Sequence, residues 1–347
     1  MITEIKDAPK WAEILDSVDH YDFYHTYDYH HISKSEGEEP LLLLYTKGQI
    51  QIAVPLLLRE IADSDQYDAT SVYGYSGPVS RNLTVGFDNK NFRNELREYL
   101  LSKKIVSVFS RLNPFVSKQL DILNDIGDIN IAGQVAYIDM TKDAIGQRRD
   151  YNRRLKTQLN GIKRNTFVRK ADAEEDFNDF VSIYRASMDR VGAAETYYFS
   201  QDYFDGLITS DSIDTTVLLT VCNETGRTMA GSLFMVCGGI AQYHLGGTRT
   251  AFMDRMPSKL LIDNMRERHE NAGLRYFNLG GGLGCTNDKL FSFKQSFTKN
   301  VKLYSLWRYV VDPKAYNKLV EERKSSENKD IEYFPSYRSG TANLGIL

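Results

Sequence analysis

The chain has 347 residues, 42% hydrophobic and 26% charged, with a formal net charge of −3. That is ample material for a core, and it suits two domains or one double-layered α/β unit. A charge so close to neutral excludes a whole-surface polyanion trap, so any nucleotide or nucleic-acid contact must come from a local patch.

Cys222, Cys237 and Cys285 are the only cysteines and form no CxxC pair, which excludes a zinc-finger or disulfide framework and fits a reducing cytoplasm. The acidic N-terminus, MITEIKDAPKWAEILDSV, has no long apolar core and does not read as a signal peptide. No apolar run reaches bilayer length, which leaves only peripheral contact with a membrane.

Residues 8–35 read as helix with aromatic interruptions, rich in Tyr and His between Tyr21 and Ser33. Leu41 to Tyr45 and Ile50 to Arg59 read as strands joined by a turn at Lys47-Gly48. Ser71 to Val79, SVYGYSGPV, reads as a loop that places Tyr73 and Tyr75 between glycines. A helix is predicted over 91–101 and strands over 105–111 and 133–140. No GxGxxG follows a strand in this half.

The composition then changes. Arg148 to Lys170 holds nine basic residues and one acid. Within it, Arg153, Arg154, Lys163 and Arg164 are candidates for a diphosphate or nucleic-acid backbone, or a solvated face. Glu174 to Val191 is an amphipathic helix, with Phe177, Phe180, Val181, Tyr184 and Met188 at three- and four-residue spacing. A shorter helix over 201–208 precedes three strands over 215–222, 228–236 and 239–245, with a turn at Asn223 to Gly226. Pro257 opens a helix running to Asn271, with Gly273 at its end.

A strand over 274–279 then meets Gly280, Gly281 and Gly282, a loop that either cradles an anion with backbone N–H groups or makes a plain tight turn. FKQSF follows, placing Lys294 between aromatics and ahead of a last strand over 301–311. That lysine either meets an anionic or polarised group or snorkels beside Phe293 and Phe297 on a surface strand. Residues 321–347 read as a polar, fraying tail. His30-His31 has no acidic or cysteine neighbour at ligand spacing, so no metal site is expected.

Four segments carry a resemblance when taken in order. They are RRDYNRRLKTQLNGIKRNTFVRKA, DFVSIYRASMDRVG, the run AGSLFMVCGGIAQYHLGGTRTAFMDRMPSKLLIDNMRERHENAGLRYFNLGGG, and FSFKQSF. Together they resemble the FemAB-like branch of the GNAT acyltransferase superfamily, the peptidoglycan-bridge aminoacyltransferases and related acetyltransferase-domain proteins. The match is detailed over the second half; SVYGYSGPV and the stretch from Ser110 to Phe115 extend it more weakly into the first.

The resemblance implies an α/β (α+β) fold of tandem GNAT-like subdomains, each a mixed, largely antiparallel sheet flanked by helices, with a cleft between them and no coiled-coil arm. The expected boundaries are 1–145 and 146–320, then the tail at 321–347. It implies transfer of an acyl or aminoacyl group from aminoacyl-tRNA or acyl-CoA, with no permanently bound cofactor, to an amine of a cell-envelope precursor. That acceptor is a muropeptide or an amino sugar on a nucleotide or lipid carrier. It also points to Lys294 as catalytic.

Within that reading, Asn278 either donates to an acyl carbonyl or caps the turn. Tyr243 and His244 sit on the strand lining the acyl slot, and strand alternation lets only one face it. His244 is then a general base or a satisfied core histidine. Tyr73 and Tyr75 either stack on substrate or pack internally. CoA-using members hold pyrophosphate on a (Q/R)-x-x-G-x-(G/A) loop; Arg249 to Asp254 keeps the arginine and lacks the glycine. This departure weighs against acyl-CoA, while Gly246-Gly247 upstream keeps it open. A small-amine or nucleotide-sugar N-acetyltransferase and a non-catalytic glycan or nucleic-acid binder are the alternatives. The sequence leaves the oligomeric state unknown.

Overall fold

The computed structural model describes residues 2–84, 86–269, 272–323 and 333–339. In chain order its elements are β1 (Ile2–Ile5), α1 (Ala8–Ser17), α2 (Tyr27–Ser33), β2 (Glu38–Lys47), β3 (Ile50–Glu60), β4 (Tyr67–Thr70), β5 (Val79–Arg81), α3 (Lys90–Ser102), β6 (Ile105–Arg111), α4 (Gln119–Leu123), β7 (Asp128–Asp139), α5 (Ala144–Arg149) and α6 (Arg153–Ile162). There follow β8 (Thr166–Lys170), α7 (Glu174–Val191), α8 (Gln201–Thr209), β9 (Asp214–Cys222), β10 (Thr228–Cys237), β11 (Ile240–Thr248), α9 (Ser258–Arg268), β12 (Tyr276–Gly280), α10 (Lys289–Gln295), β13 (Val301–Val310) and α11 (Pro313–Glu322).

The chain divides into two units. One comprises the residues up to Ala132 and those from Tyr304 on; the other is Gly133–Leu303. The division falls inside β7 and β13, so the last strand, expected wholly in the second subdomain, counts mostly with the first. Its residues Leu306 to Val310 pair antiparallel with Arg111 to Ser107 of β6, and Trp307 is fully buried in the first unit's core.

In the first unit the strand order is β1-β2-β3-β4-β6-β13, with β5 also on β3. Phe92, Leu96 and Leu100 of α3, at one-turn spacing, bury against Leu43, Tyr45, Ile52 and Val54 of the sheet. The expected long first helix is broken, because Asp22 and Thr26 act as N-caps: Phe23 N–H donates to Asp22 and Tyr29 N–H to Thr26. Of the expected tail, residues 333–339 pack rather than fray. Tyr337 is buried, with its hydroxyl on Ser107 (2.8 Å) and Asp68 (3.0 Å), and Arg338 Nε donates to Asp68 at 2.6 Å. Residues 324–332 and 340–347 of that tail lie outside the described residues.

In the second unit the order is β7-β12-β11-β10-β9-β8. All its pairings are antiparallel except β11 with β12. Neighbouring residues show which helices cover which face. Leu218, Ala230 and Phe234 pack with Leu155 and Leu159 of α6 and with Leu260, Leu261 and Met265 of α9. One residue on, Gly231 lies against Phe180 of α7. A Cβ at Gly247 would fall 2.7 Å from the Ile183 carbonyl, so glycine there is what lets α7 lie so close to β11. α7 spans the predicted residues and ends at Gly192, whose φ of 59° is the left-handed cap that glycine supplies.

Candidate active site

The second unit's sheet is pried open at one place. β11 and β12 pair in parallel for only three residues, Ile240 to Gln242 against Tyr276 to Asn278. Beyond them β11 stays with β10, while β12 bends away. The bend is built into the backbone: the register of β12 on β7 slips between Asn278 and Gly280, and Gly280 takes φ 81°.

Asn278 holds this bend. Fully buried, it donates from Nδ2 to Gln242 Oε1 (2.7 Å) and accepts the Gly280 N–H on Oδ1 (2.8 Å). Both ends of the amide are thus engaged within the protein, in the turn-capping arrangement, with one Nδ2 hydrogen spent on Gln242.

Lys294 closes the wedge. FKQSF is helical rather than a strand, because Asp288 caps α10 by accepting the Phe291 N–H at 2.8 Å. The lysine is 8% exposed, and its Nζ donates to the Gly281 carbonyl at 2.7 Å. A Cβ on Gly280 would stand 3.0 Å from the same Nζ, so the glycine admits the ammonium to the loop. Burial, only partly opposed by the charge of Asp288, lowers the Lys294 pKa to about 8. Gly282 in turn packs on Asp288, whose second oxygen accepts the Leu283 N–H. The triple glycine therefore serves close approach of the lysine and the cap.

Beside the wedge lies a cavity of about 740 Å³, lined by the last turn of α7, by β11, and by the starts of α6, α9 and α10. Tyr243 is part of its wall. His244 is not, and the reason is a bulge: Leu233 pairs with Leu245 and Phe234 with Tyr243, leaving His244 as the extra residue. His244 turns to the α7–α8 side, where Tyr203 Oη and His244 Nε2 are 2.7 Å apart and Phe199 lies alongside. Burial lowers its pKa to about 3, which makes it a poor general base near neutral pH; it is a half-buried histidine partnered by Tyr203.

The basic stretch separates by role. Lys163 and Arg148 converge with Arg266 on the fully buried Asp263, at 3.0, 3.6 and 3.1 Å, and Tyr151 Oη donates to the same carboxylate. Burial works against that carboxylate, but Lys163 and Arg266 outweigh it and hold its pKa below the ordinary value. Arg153 and Arg164 are exposed, and Arg154 lines the cavity. Arg249 is tied to Asp179 and to the Thr228 carbonyl, so it does not present itself to the cavity. The loop after it, where the sequence lacks the glycine of a pyrophosphate loop, is a 3-10 turn over Thr250–Arg255.

Tyr73 and Tyr75 belong to the first unit. Tyr75 is buried against Tyr24, Tyr304 and the Arg111 guanidinium, while the Tyr73 carbonyl accepts from Tyr29 Oη. Sequence reading missed Gln242, Arg190, Lys259 and Lys289. Of these, Lys259 had a legible signal, falling in the first turn of the helix that Pro257 opens.

Residues 146–289 match the family model of the acetyltransferase (GNAT) domain. That stretch is similar to an acetyltransferase (GNAT) domain. The matched stretch makes up most of the second unit and contains the strands of the wedge, with Lys294 just beyond it. Over the whole chain the fold is similar to that of FemX, at 13% identity over 91% of this chain and 99% of FemX, with a TM-score of 0.70. It is also similar to a conserved protein of unknown function from Bacteroides thetaiotaomicron (10% identity, 89% and 100% covered, TM-score 0.59). A tandem GNAT protein from the clavulanic acid biosynthesis pathway gives 9% identity, 90% and 99% covered, and a TM-score of 0.50. The FemAB-like, tandem GNAT fold implied by the sequence resemblance thus stands. No curated protein sequence matches the chain.

Proposed function

We propose that this chain transfers an aminoacyl group from aminoacyl-tRNA to an amine of a cell-envelope precursor, a muropeptide or an amino sugar on a nucleotide or lipid carrier. The observation that carries the reading is Lys294, buried at the mouth of the wedge with one ammonium hydrogen on Gly281. Two hydrogens remain for an oxygen that gains charge. The neutral acceptor amine adds to the ester carbonyl, forming the C–N bond and a tetrahedral oxyanion. Lys294 stabilises that oxyanion by charge and hydrogen bonding, in a setting where little solvent competes. Collapse breaks the C–O bond to the ribose; the nitrogen loses a proton and the ribose oxygen gains one.

A tRNA donor is preferred because residues 250–255 form a 3-10 turn without the glycine that close pyrophosphate approach needs, and Arg249 is committed to Asp179. It also suits the cytoplasm, and among the described residues no helix is long and apolar enough to cross a membrane.

The test is Lys294→Met with charged tRNA and a muropeptide acceptor. Turnover should fall by roughly 10²-fold or more, the scale for removing one oxyanion donor, with the melting temperature not lowered. Unchanged turnover removes Lys294 from the mechanism.

The second reading keeps the site and takes an acyl-CoA donor. The four cations lining the cavity, Arg154, Arg190, Lys259 and Lys289, favour it, since a diphosphate would find charge there. Calorimetry with acetyl-CoA separates the two: tight binding favours the thioester, and weak or no binding the tRNA ester.

A further inference from the structure

Arg154, Arg190, Lys259 and Lys289 line one cavity to which no acidic side chain contributes. None of the four is ion-paired among the described residues: Arg190 donates to Thr250 and Ser187, and Lys259 to Gln158. Elsewhere in the same unit Arg148, Lys163, Arg169 and Arg249 all meet carboxylates. In a chain of net charge −3, four uncompensated cations around one opening form a local field that favours an anionic partner.

The same cavity wall carries a second anomaly. Val191 is 67% exposed, Met253 45% and Leu290 43%, and all three line it, on three different elements. Met188, Met256 and Phe293, all half-buried, line the same wall. Scattered exposed apolar side chains need no explanation, but three converging on one rim form a patch. Val191 follows Arg190 and Leu290 follows Lys289, while the exposed Arg255 lies two residues after Met253, past the exposed Asp254. Apolar tips flanked by basic groups are the composition of a surface that sits in the headgroup layer of an anionic bilayer.

We infer that this rim docks on an anionic lipid bilayer, with Val191, Met253 and Leu290 entering the acyl boundary and Arg154, Arg190, Lys289 and Arg255 meeting lipid phosphates. Docked so, the cavity opens at the lipid–water interface, where an amine on a lipid carrier is presented. The inference rests on the proposed acyl transfer only for its purpose; the docking itself does not depend on turnover.

The experiment is flotation of the full chain with vesicles of phosphatidylcholine alone and of phosphatidylcholine mixed with phosphatidylglycerol, in low and in molar salt. The chain should float with the anionic vesicles in low salt, not with the neutral ones, and salt should release it. Replacing Val191, Met253 and Leu290 together by Ser should weaken binding roughly tenfold or more, because the apolar part of the interaction is lost. These side chains are already exposed, so circular dichroism and the melting temperature should stay as in the parent. Lys294→Met should float like the parent whatever its turnover, which keeps the two proposals separable. Absence of binding to anionic vesicles, or equal binding by the triple Ser variant, overturns the inference. Binding of inorganic phosphate or free tRNA without vesicle binding assigns the rim to a soluble anion and likewise overturns it.

Discussion

Asn278 Nδ2 donates to Gln242 Oε1 at 2.7 Å, tying together the two strands at the last point where they run side by side. Gln242 acts on Lys294 only through that amide: Asn278 fixes the Gly280 N–H, the backbone turns, and the Gly281 carbonyl receives the ammonium. Asn278→Ala leaves Gln242 Oε1 and the Gly280 N–H buried without partners. It should cost about 1–3 kcal/mol for each group left unsatisfied, read as a lower urea midpoint with unchanged slope. Asn278→Asp keeps the acceptor for Gly280 and should recover part of the turnover that Ala loses. Full turnover in the Ala variant would refute the positioning role.

Lys294 also sets a dependence on pH. Its pKa is lowered from 10.5 to about 8, so the folded protein releases this proton first. Between those two values the unfolded chain binds more protons, and stability therefore rises with pH across that window. Two and a half units correspond to roughly 3 kcal/mol. The difference in unfolding free energy between the parent and Lys294→Met should change by that order between pH 8 and 10.5. If the ammonium is the active form, turnover of the parent should fall as pH rises through about 8.

Gly280→Ala places a methyl group 3.0 Å from Lys294 Nζ and in a conformation with φ 81°. The backbone alone should cost about 1–2 kcal/mol. Turnover should drop more than stability, since the displaced group is the ammonium itself. A variant as active as the parent would show that the loop has room to spare.

Asp263 is fully buried among Lys163, Arg148, Arg266 and Tyr151. Asp263→Ala strands the equally buried Arg266 guanidinium and should cost about 3–5 kcal/mol. Thermal unfolding measures it. Replacing the more exposed Arg148 should cost far less, because its ion pair is longer and Lys163 remains.

Much of the second unit was readable from local signals. Glu174–Val191 has the expected ends, and the turn at Asn223 to Gly226 sits between β9 and β10. FSFKQSF was misread because its aromatics alternate with polar residues as a strand's would, and the deciding signal, Asp288 as N-cap, acts three residues away through a backbone N–H. The role of Lys163 was not legible, since its partner Asp263 lies a hundred positions along the chain and meets it only after α9 packs on α6. Likewise no periodicity shows that His244 is the surplus residue of a bulge: that depends on how β10 and β11 register. Tyr337 and Arg338 looked like tail because their partners, Ser107 and Asp68, belong to the other end of the sequence.

The three-residue parallel pairing of β11 and β12 makes the opening a property of the main chain. Apart from Asn278, Gln242 and Lys294, the side chains around it decorate it rather than shape it. Exchanging the residues that face it would change what is admitted while the gap persists, so a scaffold of this kind can be handed a new donor or acceptor by surface substitutions alone. The part that cannot drift so freely is small: a glycine with no side chain, an amide spanning two strands, and the lysine they seat.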